Sequence, residues 1–334
     1  MSLNQYYANG VLSSMSTKLF GADKFSRIAD CFTLAEALKI LHENGYGNGI
    51  VVKNPNNYED VFRAELDCLM GLFKEMSFDS NCTRYFLCPY DYVNAKLLMK
   101  SKYMRVDGTA SCFANATFNV QQMQECIVKD DYSMFSKIMA EACHQVDKQF
   151  AEGNRTPQVV DTILDVAMFK DMRHFANRCT LPLVKDLFVW HVDTLNLMLV
   201  FRTHKAGFSK EQFEQLVVEG GSIGKAKLAS LWDGVPASNG VLPELWEGNR
   251  VVLEEQYLEF FNLCKADSTL QRAEKAQHKH RYNIITQNIN MLSVHVLVDY
   301  FFRKLEEIDK LRYTLVCIKN GVDKEQVKDV LKQW

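Results

Sequence analysis

The chain has 334 residues, of which 47% are hydrophobic and 24% are charged, as is ordinary for a globular protein of two or three domains. Its formal net charge of −2 argues against a surface that binds nucleic acid or anionic membranes, because such a surface needs clustered basic residues. We find no signal peptide and no apolar run long enough to cross a bilayer, so we expect a soluble, cytoplasmic protein.

Apolar residues recur at helical spacing along the chain, and this pattern predicts an all-α fold. Thr33 and Glu36 form the pattern of a capping box that opens an early helix. Thr156 and Pro157 are typical of another helix start. The other helical stripes are those of Leu12, Met15 and Leu19, of Val61, Leu66, Leu69 and Leu72, and of Val160, Ile163, Leu164 and Ala167.

Two segments interrupt this pattern. Residues 42–58 are rich in Gly and Asn and predict a loop, in which residues 49–53 offer only thin evidence for an extended strand. Residues 232–249 contain two prolines and three glycines, and we predict that they form the principal loop or linker.

The ten cysteines show no paired spacing such as Cys-x-x-Cys, and most lie in apolar helical runs, as Cys68 and Cys317 do. Buried, reduced thiols in a cytosolic protein explain them better than a disulfide framework or a zinc site.

One short sequence occurs twice, as Lys-Ala-Gly-Phe-Ser-Lys-Glu-Gln at residues 205–212 and as Lys-Asn-Gly-Val-Asp-Lys-Glu-Gln at residues 319–326. In each copy a glycine follows an apolar helical stretch, and an N-cap residue follows two positions later. Each copy therefore predicts a helix, a glycine stop, a cap and a new helix. The turn is either a connector between helices or a loop presented to a partner.

A weaker repeat lies upstream of these turns. An acidic residue and an asparagine, three positions apart, occur as Asp91 with Asn94 and as Asp193 with Asn196, whereas the last copy has Glu307 with Lys310. On a helix both side chains face the same way and can bond a neighbouring backbone or a facing helix end.

In the first copy we expect the downstream helix to begin after Asn119, with Gln122 as its capping partner, after a longer loop. The repeats predict three related helical domains, at residues 1–128, 129–225 and 226–334.

With these residues in view, the chain resembles the C subunit of V-type (archaeal and bacterial vacuolar-like) ATP synthases, which is related to the d subunit of eukaryotic V-ATPases. The resemblance runs from end to end. It is carried by Tyr6 to Leu19, Phe25 to Leu41, the two acidic–Asn helices, and most strongly by Tyr300 to Leu331, with Lys304, Glu307, Leu311, Arg312 and Gly321.

The resemblance implies a funnel of three similar domains with pseudo-threefold symmetry. It implies a rotor part without an active site or cofactor of its own, peripheral at the cytoplasmic face of the membrane. Its partners would be the shaft subunits of the soluble sector and the membrane ring of ion-carrying subunits. Two features depart from the family pattern: Lys310 replaces an amide, and the first repeat has a long insertion between Met104 and Asn119.

Gly-Gly-Ser-Ile-Gly-Lys at residues 220–225 resembles a phosphate-binding loop only superficially. A Walker loop requires glycine at position 219 and Ser or Thr at position 226, where this chain has Glu219 and Ala226. We interpret the glycines as a helix terminator.

Other reactive residue types also have simpler interpretations. His278 and His280 are two positions apart and point to different sides of a helix, so an exposed polar face is favoured over a metal site. Adjacent helical residues such as Cys143 and His144 diverge by about 100° and cannot readily form a nucleophile–base pair. Solvated helix faces explain three further carboxylates, those of Glu254, Glu255 and Glu259.

We favour a non-catalytic connector of a rotary ATPase over two alternatives, a free-standing helical-repeat scaffold that binds a peptide and an α-helical enzyme. Against the scaffold, units of over 100 residues are longer than solenoid repeats. Against the enzyme, no motif carries a mechanism. The candidate interface consists of the repeated turn residues Gly207, Lys210, Glu211, Gly321, Lys324 and Glu325.

Overall fold

A computed structural model describes residues 5–104, 106–234, 255–266, 270–287 and 295–333. All regular secondary structure in these ranges is helical, so the all-α prediction is confirmed, and residues 49–53 form no strand.

The described ranges contain fifteen α-helices. They are α1 (Gln5–Ser16), α2 (Ala22–Ala29), α3 (Leu34–Glu43), α4 (Glu59–Met76), α5 (Ser80–Met104), α6 (Val120–Lys129), α7 (Lys137–Ala151), α8 (Pro157–Arg178), α9 (Pro182–Lys205), α10 (Lys210–Leu216), α11 (Lys225–Gly234), α12 (Glu255–Ala266), α13 (Gln271–Gln287), α14 (His295–Lys319) and α15 (Lys324–Gln333). Two short 3₁₀ helices, Pro55–Asn57 and Thr109–Ser111, lie in the loops after α3 and α5.

Three long helices of nearly equal length carry the repeated acidic residues. Helices α5, α9 and α14 contain 25, 24 and 25 residues. Each packs against a short helix, α5 against α6, α9 against α11 and α14 against α2. The pairing of α14 with α2 brings helices from opposite parts of the sequence together.

Several predictions about local structure need correction. Helix α1 ends at Ser16, so Leu19 lies beyond it. Helix α11 extends to Gly234, so the predicted linker cannot begin at Trp232, and residues 235–249 lie outside the described ranges. None of the ten cysteines, all within the described ranges, forms a disulfide, but Cys68 is exposed, whereas Cys317 is buried as expected.

The chain divides into two compact units, one of residues 1–134 with 289–334 and one of residues 135–288. In the first unit, apolar side chains of α2, α3 and α4 pack with Ile308, Leu311 and Leu315 of α14. In the second, α9, α11, α12 and α13 surround a core that includes Trp190 and Phe261. The division into three domains at residues 1–128, 129–225 and 226–334 stays a prediction.

Candidate functional site

The two copies of the repeated turn adopt the same backbone conformation. Gly207 and Gly321 have φ angles of 71° and 65°, in the left-handed region where a side chain is strained. In one copy the Phe208 N–H donates to the Thr203 carbonyl, and in the other the Val322 N–H donates to the Cys317 carbonyl, each at 3.0 Å. Both are therefore Schellman endings of a long helix, as the glycine stop predicts.

A capped helix follows each of these turns. Ser209 accepts the Gln212 N–H, and the Gln212 side chain accepts the Ser209 N–H at 2.8 Å, which completes a capping box before α10. Asp323 accepts the Gln326 N–H at 3.2 Å before α15. The predicted order of helix, glycine stop, cap and helix is confirmed in both copies.

In the first two copies the acidic and Asn side chains hold the backbone of the following loop. Asn94 donates to the Phe113 carbonyl at 2.9 Å and accepts the Phe113 N–H at 2.7 Å. Asp91 accepts the N–H groups of Thr117 and Phe118 at 2.8 and 3.3 Å. We call this arrangement the loop clamp.

The second loop clamp repeats the first. Asn196 donates to the Val218 carbonyl at 2.8 Å and accepts the Val218 N–H at 2.9 Å. Asp193 accepts the N–H and hydroxyl of Ser222 at 3.0 and 2.6 Å and the Ile223 N–H at 3.0 Å. The expectation that these pairs bond a neighbouring backbone is therefore confirmed.

The loop clamps fix which elements correspond. Helix α6 follows the first clamped loop and α11 follows the second, so α6 corresponds to α11 and not to α10. Helix α6 does begin after Asn119, which accepts the N–H groups of Gln121 and Gln122. The predicted long insertion in the first copy is wrong, because the Asn-to-loop separation is 19 residues there and 22 in the second copy.

When the copies are aligned on the loop clamps, residues 105–109 correspond to the repeated turns. Val106 corresponds to Phe208 and Val322, and Asp107 corresponds to the caps Ser209 and Asp323. Asp107 also accepts a local backbone hydrogen bond, from the Thr109 N–H at 2.9 Å, although the N-cap of the short helix that follows is Gly108. The sequence comparison missed this third turn because residue 105 is arginine where the other copies have glycine.

The third copy holds a loop from the beginning of the chain. Glu307 accepts the Phe20 N–H at 2.5 Å and binds Lys304 at 2.6 Å. Lys310, in the place of the asparagine, pairs instead with Glu306 at 2.7 Å.

A lysine near each turn binds an aspartate at the C-terminal end of the adjacent short helix. Lys102 binds Asp130 after α6, and Lys210 binds Asp233 in α11. In the third copy Lys324 donates to the backbone carbonyl of Asp30 after α2. The predicted interface lysines, Lys210 and Lys324, thus both have partners within the chain.

The apolar residues of the three turns point outward. Val106, Phe208 and Val322 are 64%, 40% and 38% exposed, and we call them the turn-tip residues. Glu211 and Glu325 are exposed as well, and Glu325 pairs with Lys328 at 3.0 Å. Exposed apolar side chains at three corresponding positions are a stronger interface signal than the lysines.

The glycines at residues 220–225 have a different role from the predicted helix terminator. Helix α10 already ends at Leu216, and the loop amides of Ser222 and Ile223 point at Asp193. A Cβ on Gly221 would overlap the Asp193 carboxylate. An internal carboxylate therefore takes the place that a phosphate takes in a nucleotide-binding loop.

The other reactive residue types are placed as follows. The His280 ring lies against Trp190, with ring centroids 3.8 Å apart, and Gln277 bonds Thr194 at 2.6 Å, so this face of α13 is packed and not an exposed polar face. Cys143 is buried and His144 is exposed, which agrees with the expectation that these adjacent side chains diverge. The side chain of Glu259 is exposed, whereas Glu254 and the side chain of Glu255 lie outside the described part of the structure.

Burial raises the pKa of Asp91 to about 6, although the hydrogen bonds from Thr117 and Phe118 offset part of the effect. Burial likewise lowers the pKa of His191 to about 4. Among the described residues, no three metal-binding side chains come together, and no helix is long and apolar enough to span a bilayer.

A model of the family described as ATP synthase (C/AC39) subunit matches residues 8–330 of the chain. The C subunit of the A-type ATP synthase of Thermococcus kodakarensis is 22% identical over 344 residues, which cover 97% of this chain and 89% of that protein. The corresponding C subunit from the A-type ATP synthase of Desulfurococcus sp. is 22% identical over 343 residues, with the same coverage.

Proposed function

The chain belongs to the ATP synthase C/AC39 subunit family of rotary ATPases, and from this membership we propose that it is a non-catalytic connector of the central stalk. It links the soluble rotor shaft to the membrane ring of ion-carrying subunits, and it transmits torque between ATP turnover and ion transport. It acts at the cytoplasmic face of the membrane.

The observation that carries this proposal is the threefold recurrence of one helix end. In the second and third copies the long helix ends in a turn with an exposed apolar residue and a cap after it, and in the first copy the exposed Val106 lies at the corresponding position. In all three copies a lysine contacts an aspartate at the end of the adjacent short helix. A partner made of repeated identical subunits offers the same contact several times, and several weak contacts together give tight binding. The recurrence also supports three similar domains, and the funnel arrangement is proposed from the family resemblance alone.

Stiffness supports the role in torque transmission. The turns at Gly207 and Gly321 are each followed by a capped helix start, and all three helix ends make an ion pair or a charge-assisted hydrogen bond. The loop clamps of Asp91 and Asp193 are almost fully buried. Buried, fully bonded connections between helices resist twisting more than solvated loops do. The role needs no nucleotide and no catalytic group.

Assembly on native membranes tests this function. The tagged chain should capture the shaft and ring subunits, and the variant Val106→Ser, Phe208→Ser, Val322→Ser should capture fewer of them at unchanged helicity by circular dichroism. The matched control replaces two exposed valines that lie away from the turns, Val128 and Val166, with serine, and it should assemble as wild type does.

The charged residues of the candidate interface are tested beside the turn tips. Reversing both Glu211 and Glu325 to lysine leaves the contacts of Lys210 and Lys324 in place and isolates the exposed charges. Normal assembly of this variant with loss in the turn-tip variant would assign binding to the apolar residues. Capture of neither shaft nor ring by the wild-type chain would refute the connector role.

A further inference from the structure

The contact between a long helix and its short helix occurs three times, and we call each occurrence a joint. The first joint is α5 with α6, the second is α9 with α11, and the third is α14 with α2. In the first two joints the chain runs on directly from the long helix to the short one, through the 3₁₀ helix Thr109–Ser111 in the first and through α10 in the second. In the third joint the short helix comes from residues near the start of the chain, so its association with α14 is entirely non-covalent.

The third joint has fewer hydrogen bonds to its loop than the other two. Asn94 and Asn196 each bond both the N–H and the carbonyl of one loop residue. At the corresponding place Lys310 pairs with Glu306 on its own helix. Glu307 accepts the Phe20 N–H and forms an ion pair with Lys304, which also pairs with Glu65 at 2.9 Å.

The third joint is also imperfectly packed. A surface cleft of about 270 Å³ lies beside its ion network and is lined by residues that include Met15, Phe20 and Tyr46. The Tyr46 hydroxyl is fully buried and makes no hydrogen bond of normal geometry. Its burial and the nearby carboxylates of Glu307 and Glu65 raise the Tyr46 pKa well above its ordinary value, so the hydroxyl keeps its proton.

All of these differences make the closed state of the third joint less stable. A cleft leaves the side chains that line it with fewer packing contacts than a closed interior would give them, and a buried hydroxyl without a well-formed hydrogen bond disfavours the closed state. Without the two hydrogen bonds of an asparagine, the closed state loses stabilisation relative to the other joints. We propose that the third joint is the opening point of this protein, where residues 17–30 and α15 separate from α14 together while the first two joints stay closed.

Hydrogen exchange with mass spectrometry on the whole chain tests this proposal. Peptides that cover residues 17–30 should exchange about tenfold faster or more than the corresponding peptides at residues 113–130 and 218–234, because two hydrogen bonds are missing. Peptides at residues 320–333 should exchange with the same opening rate as residues 17–30. Equal protection at all three joints would overturn the proposal.

Two variants separate a cooperative opening from fraying of the chain ends. Tyr46→Phe removes the unbonded hydroxyl and should slow exchange at residues 17–30 and 320–333 by about fivefold or more. Glu307→Gln weakens the third joint and should speed both segments. If only one segment responds, the two do not open together and the proposal is wrong. The matched control Asp193→Asn should speed exchange at residues 218–234 alone.

Discussion

Replacing Asn196 with alanine tests the loop clamp, and we expect it to lower the free energy of unfolding by about 2–4 kcal/mol. The side chain is 1% exposed and makes two hydrogen bonds to Val218, at 2.8 and 2.9 Å. Its removal leaves a backbone N–H and a carbonyl without partners, and each unpaired group costs about 1–3 kcal/mol when buried. Because Val218 is half-buried, water compensates for part of the larger sum.

Urea unfolding at pH 7, followed by far-ultraviolet circular dichroism, measures the change. Asn94→Ala removes the corresponding pair of bonds in the first copy and should cost a similar amount. The matched control is Asn44→Ala, because that amide is exposed and makes one hydrogen bond, to the Ile40 carbonyl at 2.8 Å. This control should cost under about 1 kcal/mol. If Asn196→Ala costs no more than the Asn44 control, the loop clamp does not stabilise the fold.

Three further predictions follow from the two loop clamps. Gly221→Ala should lower the melting temperature because its Cβ would overlap the Asp193 carboxylate, whereas Gly224→Ala, whose Cβ meets open space, should change it little; equal melting temperatures would contradict this. For Asp91, a folded pKa of about 6, raised from 3.8, means that the folded state holds the proton more tightly. The free energy of unfolding should therefore fall by up to about 3 kcal/mol as pH rises from about 4 to 6, then level off, and Asp91→Asn should remove this slope in urea unfolding curves from pH 4 to 8. Calorimetric titration with magnesium-ATP should give no saturable heat, since Asp193 occupies the amides of Ser222 and Ile223; micromolar binding there would refute this account.

The sequence was sufficient where structure depends on neighbouring residues. Glycine after an apolar helix, then a cap three positions before Gln212 or Gln326, is a local signal, and the structure has that helix ending in both copies. The acidic–Asn spacing also predicted that these side chains bond a backbone. Which backbone they bond was not predictable, because the partners lie 19 to 30 residues away and depend on the path of the loop.

Other errors came from interpreting a residue by its type alone. The glycines at residues 220–225 were interpreted as a stop for a helix that had already ended. No local sequence pattern indicates that Asp193, on helix α9, binds the backbone of this loop. His280 lies on a strongly polar helix, and only tertiary packing puts its ring against Trp190. Polar composition gives an average for a helix and does not say which of its side chains a neighbouring helix covers.

The repeated lysines show why repetition does not by itself identify an interface. A charge that recurs at corresponding positions suits a symmetric partner, but it equally suits an internal contact that recurs with the fold. Lys210 and Lys324 make such contacts, with Asp233 and with the carbonyl of Asp30. Pairing separates the two explanations, because a lysine that already binds a group of its own chain offers less charge to a partner, even where it is as exposed as Lys210. The turn-tip residues recur with the fold and stay exposed in all three copies, so we propose that they, and not the lysines, contact a repeated partner.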